Sequence, residues 1–384
     1  ADPAATAARL QCDAVGWTGF ADCATEAERH ALAERLRPPT PPGSPLLAEV
    51  AAADAVVIAG GGNLNSHWPE HLYERLAVAR TAAANAIPVV VTGQTLGPEL
   101  HNDHRQLVAE LAGLATMVGV REHRSLALAG QLGITNAVAQ ADDALLLAGT
   151  RPVLPAGFDP GPATATRRYL AVTVHPFATA DDPRMASLAT QLATVAQRIV
   201  ADLVFVPHAR APEGPGGTGD ADVARRLAEL TGGVALEPVD AREAVWVVAN
   251  AWAVVSTRYH PLVFATAAGV PALAVLWDDY TAVKCRGALD HVGLGDWWVG
   301  VGAACDGALE PALAELTRRR CELASWMASA RAQLHAVDQR RIEAVAAGLG
   351  RPCPPGGPPD TAATRPVPTG GAPVPAGSWA DVPR

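Results

Sequence analysis

Arg258 and His260 are the residues whose types and spacing most readily do chemistry. Residues 253–256 form a short apolar run, the pattern of a strand buried on both faces of a parallel sheet. Residues 262–268 are apolar without an internal Gly or Pro and predict a helix, which Gly269 ends with Pro271 just beyond. Residues 270–277 then predict the next strand. Thr257, Arg258, Tyr259 and His260 therefore fall where a parallel strand hands over to a helix. Open α/β sheets bind ligands at that edge, and helix N-termini there favour anions. A guanidinium fork grips planar anions, and an imidazole moves protons near neutral pH. A surface turn without chemistry is the competing reading of these four residues.

Other candidates sit at similar handovers. Gly60, Gly61, Gly62 and Asn63 follow an apolar run at residues 55–59, so a tight turn that brings backbone close to a ligand is expected. Arg121 follows a run at residues 117–120, as Arg258 follows its own. His208 ends a run at residues 203–208 and can line the same cleft or serve as a core or capping residue. Asp142 and Asp143 also follow a strand; each can orient an Arg or a hydroxyl, or cap a helix. His175 reads as a strand end and nothing more. No metal-ligand cluster, phosphate-binding P-loop or nucleophile elbow is visible.

The elements that must position these residues alternate along the chain. Strand-like runs at 55–59, 87–92, 117–120 and 136–141 are separated by helical segments, among them Asn102–Leu114 with its apolar residues three and four apart. Pro and Gly then crowd together, and strand–helix alternation restarts at residue 169. The expected domains are 1–150, a linker at 151–166, 167–350 ending in a long helical stretch from Pro311, and a Pro/Gly-rich disordered tail at 351–384. Alternation of this kind marks a parallel α/β sheet. The first 37 residues read as mostly helical, with residues 26–36 the best segment.

The 384 residues suffice for two cores, and 49% apolar with 18% charged residues is a globular composition. A net charge of −9 argues against a nucleic-acid partner. No apolar run approaches the ~18 residues that span a membrane, and no signal peptide is visible, so a cytoplasmic location is expected. Six scattered cysteines with no CxxC pair read as free thiols.

Taken as an ordered set from about residue 54 to residue 296, these landmarks resemble the polysaccharide pyruvyl transferase family. The set comprises Gly60 to Leu64, Gly93 to Pro98, Val120 to Leu126, Asp142 to Leu147, Ser256 to His260, Ala268 to Pro271, and Asp279 to Lys284 followed by Gly287. The resemblance implies a glycosyltransferase-B-like fold: α/β, with two doubly wound Rossmann-like domains facing across a cleft. It implies pyruvate transfer from phosphoenolpyruvate to a sugar of a polysaccharide or cell-wall precursor, forming a ketal. Arg258 and His260 fall on the family's Arg-x-His pair, Lys284 on its late lysine, and Arg121 and Ser125 on its Arg-x-x-x-Ser element.

His260 is then the acid/base candidate, with Arg258 beside it. Arg121, Ser125, Lys284, Gly61, Gly62, Asn63 and His208 are the candidate substrate contacts. No cofactor or metal is expected, and the partners are phosphoenolpyruvate and a glycan acceptor, lipid-linked or free. Two departures stand out. The first strand and Gly-, Asn- and Asp-containing loop of the family are not found, so with Ala1 in place of Met a truncated or diverged start is expected. The Asp that follows the glycines in the family is replaced here by Asn65, Ser66 or His67. A nucleotide-sugar glycosyltransferase of the same architecture, or a silent sugar-binding protein, are the alternatives.

Overall fold

The computed structural model describes residues 3–39, 44–148, 152–159, 168–176, 182–208 and 219–350. They form two compact units. One comprises the residues up to Asp143 together with those from Val337 through the last helix, and the other comprises Ala144–Ala336. The last helix, Arg320–Gly348, thus begins in the second unit and ends in the first, following a separate helix Leu309–Arg318. The expected tail at 351–384 lies outside the described residues. Of the expected linker, 152–159 are described; they belong to the second unit, where Phe158 packs its ring edge on Tyr169 and Trp246.

The first unit carries a parallel sheet of β1 (Val56–Ile58), β2 (Gly61–Leu64), β3 (Val89–Leu96), β4 (Met117–Val120) and β5 (Ala137–Ala139). The order is β1-β3-β4-β5, with β2 also on β3. Every residue of β3 is buried, which is why its sequence is a continuous apolar run where it begins. Before β1 the described residues hold only helices: Pro3–Leu10, a 3-10 turn at Phe20–Asp22, Glu26–Arg35 and Pro45–Ala52. Thr25 and Glu28 close a capping box on Glu26–Arg35.

The glycine segment differs from expectation. Instead of a turn, Gly61–Leu64 is a strand that pairs with β3 at Gln94 and Leu96, after β1 has paired with the same neighbour at Val89 to Val91. The break between β1 and β2 is held by one carboxylate. Asp143 accepts hydrogen bonds from the Gly60 amide (2.8 Å), the Thr92 hydroxyl (2.7 Å) and the Arg341 guanidinium (2.9 Å). Side-chain carbons at Gly60 or Gly93 would run into that carboxylate, and Gly93 has φ +50°, so glycine is required on both sides. The strand expected at residues 87–92 runs further, because β3 continues through Leu96 to receive β2.

The second unit carries β6 (Arg168–Thr173), β7 (Ala201–Phe205), β8 (Val234–Ala235), β9 (Ala253–Ser256), β10 (Ala272–Leu276) and β11 (Trp298–Gly300). They are parallel, in the order β11-β10-β9-β6-β7-β8. From β6 the chain winds outward through β7 and β8, then returns to the other side of β6 and winds outward again. The direction reverses between β6 and β9, and ligands of doubly wound sheets bind at such a reversal. Helix Tyr259–Ala268 follows β9 and is buried on nearly all sides, so it has no polar stripe. Gly269 ends it in the left-handed conformation, φ 76°.

Gly60→Ala would place a carbon 2.9 Å from Asp143 Oδ2 and 3.1 Å from the Gly93 carbonyl oxygen. It is expected to lower stability by roughly 1–3 kcal/mol, the usual cost of overpacking. Urea unfolding checks this; a change within error would mean that Asp143 moves aside freely.

Candidate functional site

The reversal point of the second sheet is built from the ends of β6, β7 and β9. The Ser256 hydroxyl accepts from the Arg258 amide (2.9 Å) and donates to the Arg258 carbonyl (2.8 Å), tightening the exit of β9. The His175 amide beyond β6 donates to the Thr257 hydroxyl (2.6 Å), tying the two central strand ends together. Arg258 then reaches Asp220 with two nitrogens, Nη2 at 2.6 Å and Nε at 3.2 Å. The Asp220 side chain is 1% exposed and that of Arg258 31%. Asp220 also accepts from the His208 amide at 3.2 Å, so one carboxylate joins the ends of β7 and β9.

Sequence reasoning missed Asp220. A carboxylate at the start of a helix reads as a cap, but Asp222 takes that duty by accepting from the Gly219 amide at 2.8 Å. A second acidic residue in the first turn was the signal that one of the two was spare.

Three histidines surround the pair. His260 is exposed in the first turn of its helix, its ring 6.2 Å from Phe264, and the His208 ring lies 6.4 Å from the same phenyl group. His208 is half-buried, yet its Nε2 is enclosed without a partner among the described residues. Burial, with the His260 ring nearby, pushes its pKa down to about 3. His175, expected only to end a strand, stands at the reversal point edge-on to Trp277 at 5.1 Å. Its Nδ1 is also enclosed and unpartnered, and burial followed by the Arg258 charge lowers its pKa. Both imidazoles are neutral at pH 7. Lys284 sits in helix Asp279–Asp290, which packs against the Tyr259–Ala268 helix; its ammonium lies 3.7 Å over the Tyr280 ring.

The remaining candidates belong to the first unit. Gly61 faces Gln94 across the β2–β3 ladder. The Gln94 amide nitrogen donates to Ala59 O (2.7 Å) and Thr92 O (3.1 Å), which turns its Oε1 the other way. Asn63 Oδ1 and Gln94 Oε1 are both enclosed without a partner among the described residues. A side-chain carbon at Gly61 would lie 3.0 Å from Asn63 Oδ1, 3.2 Å from Arg75 Nη2 and 3.5 Å from Gln94 Oε1. The glycine therefore leaves a small niche bounded by two acceptors and a guanidinium.

Arg121 and Ser125 are both buried. Arg121 pairs with Asp142, and its Nε reaches Thr95 Oγ1 and Glu122 Oε1, each at 2.9 Å. The Ser125 hydroxyl donates to Glu122 Oε2 at 2.8 Å and accepts from the Leu96 amide at 3.0 Å. Burial pushes the Glu122 carboxyl up against the opposing pull of Arg121. These bonds fasten the ends of β3 and β4 to each other. Asp142 and Asp143 act as expected of residues that orient an Arg or a hydroxyl.

At the positions where the resemblance calls for an Asp, Asn65 is 1% exposed and closes the turn before helix Pro69–Ala84, accepting from the His67 (2.9 Å) and Trp68 (3.2 Å) amides. His67 is exposed beside Trp68. Among the described residues no group of three His, Cys, Asp or Glu side chains is placed to hold a metal ion, and no helix is long and apolar enough to cross a membrane.

A family model described as polysaccharide pyruvyl transferase matches residues 16–279, a span that contains every motif above up to Asp279, where the last one, with Lys284 and Gly287, begins. The chain belongs to the polysaccharide pyruvyl transferase family. No curated protein sequence matches it significantly. Solved structures do, at the level of fold. A UDP-N-acetylglucosamine 2-epimerase from Listeria monocytogenes aligns with TM-score 0.51 and 14% identity over 84% of this chain and 80% of its own. Anabaena HepE in complex with UDP aligns with TM-score 0.51 and 15% identity over 79% and 82%. The family member described here thus has the glycosyltransferase-B fold: α/β with parallel sheets.

Replacing Arg258 by Met takes the guanidinium away from the buried Asp220 carboxylate. The expected cost is roughly 3 kcal/mol, the low end for a broken buried pair because Arg258 is partly solvated. Adding Asp220→Asn is expected to recover part of it in denaturant unfolding; strict additivity would show that the two do not interact. The depressed pKa of His208 has its own signature. The unfolded chain takes up a proton near pH 6.5 that the folded chain refuses until about 3, so stability is full above that range and falls as pH falls through it. His208→Gln is expected to flatten unfolding free energy between pH 7 and 5; an unchanged slope would show that His208 is not held neutral.

Proposed function

We propose that this chain transfers pyruvate from phosphoenolpyruvate to a sugar of a polysaccharide or cell-wall precursor and closes a pyruvate ketal. The observation that carries the reading is the placement of the family's Arg-x-His pair, Arg258 and His260, at the reversal point of the second sheet. Arg258 is held by Asp220 through Nε and Nη2, so Nη1 is the nitrogen turned to an incoming phosphate or carboxylate. The amide-rich start of helix Tyr259–Ala268 adds to the pull on an anion. Lys284 supplies a second cation from the neighbouring helix.

His260, exposed to ligand, protonates the enol methylene of phosphoenolpyruvate and leaves an oxocarbenium-like carbon. A sugar hydroxyl adds there and loses its proton, phosphate departs, and a second hydroxyl of the same sugar closes the ring. His208 and His175 are neutral and suit hydroxyl or phosphoryl oxygens without adding charge. In the first unit the niche at Gly61, Gly62 and Asn63 fits hydroxyl donors of a sugar, because Asn63 and Gln94 offer acceptors. Arg121 and Ser125 serve this reading by holding the strand ends that carry the niche. No resident cofactor is needed, since the donor brings its own leaving group, and a lipid-linked acceptor would be met at the membrane surface.

Calorimetry with phosphoenolpyruvate, set beside a UDP-sugar, separates this reading from a glycosyltransferase; binding of the nucleotide sugar alone would overturn it, and glycan binding alone would favour a silent sugar-binding protein. Arg258→Lys keeps charge but loses the fork, and is expected to weaken phosphoenolpyruvate binding about tenfold or more. His260→Gln is expected to leave that binding intact and slow turnover by ~10²–10⁴-fold. Equal loss of binding in both variants would remove the division of roles.

A further inference from the structure

The parallel strands of the second unit also have an N-terminal edge, and three side chains stack on one another there. Arg168 is the first residue of β6, Trp252 immediately precedes β9, and Arg320 begins the last helix. All three belong to the second unit. Each guanidinium carbon lies 4.1 Å from the centre of the Trp252 ring. Two guanidinium groups cannot share one face of an indole at that distance, so they take opposite faces, no more than twice that distance apart. The tryptophan is fixed through its backbone. Its amide donates to the Tyr169 carbonyl (2.7 Å), and its carbonyl accepts from Arg320 Nε (2.9 Å).

A ring face attracts a cation but leaves its charge in place. Neither guanidinium bonds to a carboxylate among the described residues: Arg168 has the ring, and Arg320 the ring and the Trp252 carbonyl. The acids close to Arg320 in the chain are engaged elsewhere, Glu322 by Arg319 and Glu315 by Arg318. Asp202 lies across from Tyr169 on β7, on the other side of β6 from Trp252. Trp252 Nε1 is enclosed and also lacks an acceptor among the described residues, although a buried indole N–H ordinarily finds one. The side chains of the cluster are therefore donors without an anionic acceptor. The chain has 39 acidic residues against 30 Lys and Arg, yet it leaves these two like charges side by side and unneutralised.

We propose that Arg168, Trp252 and Arg320 form a second anion site, for a ligand that presents phosphate or diphosphate oxygens, on the opposite edge of the sheet from Arg258. A guanidinium fork matches phosphate oxygens two at a time. A phosphate group has oxygens left for a second fork after meeting the first, which a carboxylate gripped by one fork does not. Arg168 is exposed, so the stack is open to solvent on its face, while Arg320 is half-buried and holds the ring from the other. Strand β9 separates Trp252 from Thr257, roughly 16 Å at the usual rise of a strand. A ligand here leaves the contacts at Arg258 untouched, so the site stands whether or not the chain transfers pyruvate. The phosphate oxygens come from a free anion or from a lipid headgroup, and the chemistry of recognition is the same.

The ¹⁵N-labelled indole of Trp252, its NMR signal assigned by loss in Trp252→Phe, reads the site directly. Titration with inorganic pyrophosphate at constant ionic strength is expected to move that signal to saturation, with a dissociation constant below about 1 mM. Arg168→Gln and Arg320→Gln are each expected to weaken the response about tenfold or more. Arg258→Lys is expected to leave it unchanged, which separates this site from the one at the reversal point. Pelleting with phosphatidylcholine vesicles, with and without phosphatidic acid, distinguishes the sources. Binding that requires phosphatidic acid and is lost in Arg168→Gln, with no response to pyrophosphate, would support the site and assign it to a headgroup. A signal that stays still while neither vesicle binds would overturn the proposal, and so would an undiminished response in both Gln variants. Arg168 is exposed, so Arg168→Gln is expected to fold and to keep the comparison meaningful.

Discussion

A carboxylate with 1% of its side chain exposed cannot keep its charge without a partner, and Asp220 therefore commands the geometry of the second unit's edge. It draws the Arg258 fork inward and accepts the amide at the end of β7, so the exits of β7 and β9 are fixed by one group. The turn is then fixed by the protein's own bonds. Such preorganisation sets the orientation of the Arg258 cation within the fold. The same concentration of charge explains the neighbours. His175 and His208 stand in a field that includes Arg258, and both are forced neutral, whereas His260 projects toward solvent.

The first unit uses a carboxylate in a comparable way. Asp143 follows the strand β5 and bonds to Gly60, Thr92 and Arg341, so it holds the gap between β1 and β2, the neighbouring bend in β3 and the last helix together. Arg341 is itself 6% exposed and shared with Asp338. The helix that leaves the second unit thereby ends as a structural part of the first. Glycine is demanded at Gly60 and Gly93 because the carboxylate already occupies the space a side chain would take. These glycines serve packing, whereas a side-chain carbon at Gly61 would meet Asn63, Arg75 and Gln94 instead.

The strand–helix alternation was legible because parallel strands buried on both faces must be apolar throughout, and the helices between them end at Gly or begin at capping residues. The handover at Thr257 to His260 was legible for the same reason. What could not be read was the choice of distant partners. Nothing local to Asp220 names Arg258, and nothing local to Asp143 names Arg341, 198 positions away. The glycine segment misled because glycine signals a turn, whereas here the ladder resumes on the same neighbour after one break. His175 was passed over because its importance comes from strand order, and sequence alone does not say that β6 and β9 are adjacent.

The position after the glycines carries the last step. Asn65 closes the turn before helix Pro69–Ala84 with its Oδ1, a duty an Asp would perform with added charge. A neutral amide there leaves this position without a carboxylate to accept a proton. Asp142, Asp143 and Glu122 do not replace it, since each is already engaged by an arginine: Arg121 for Asp142 and Glu122, Arg341 for Asp143.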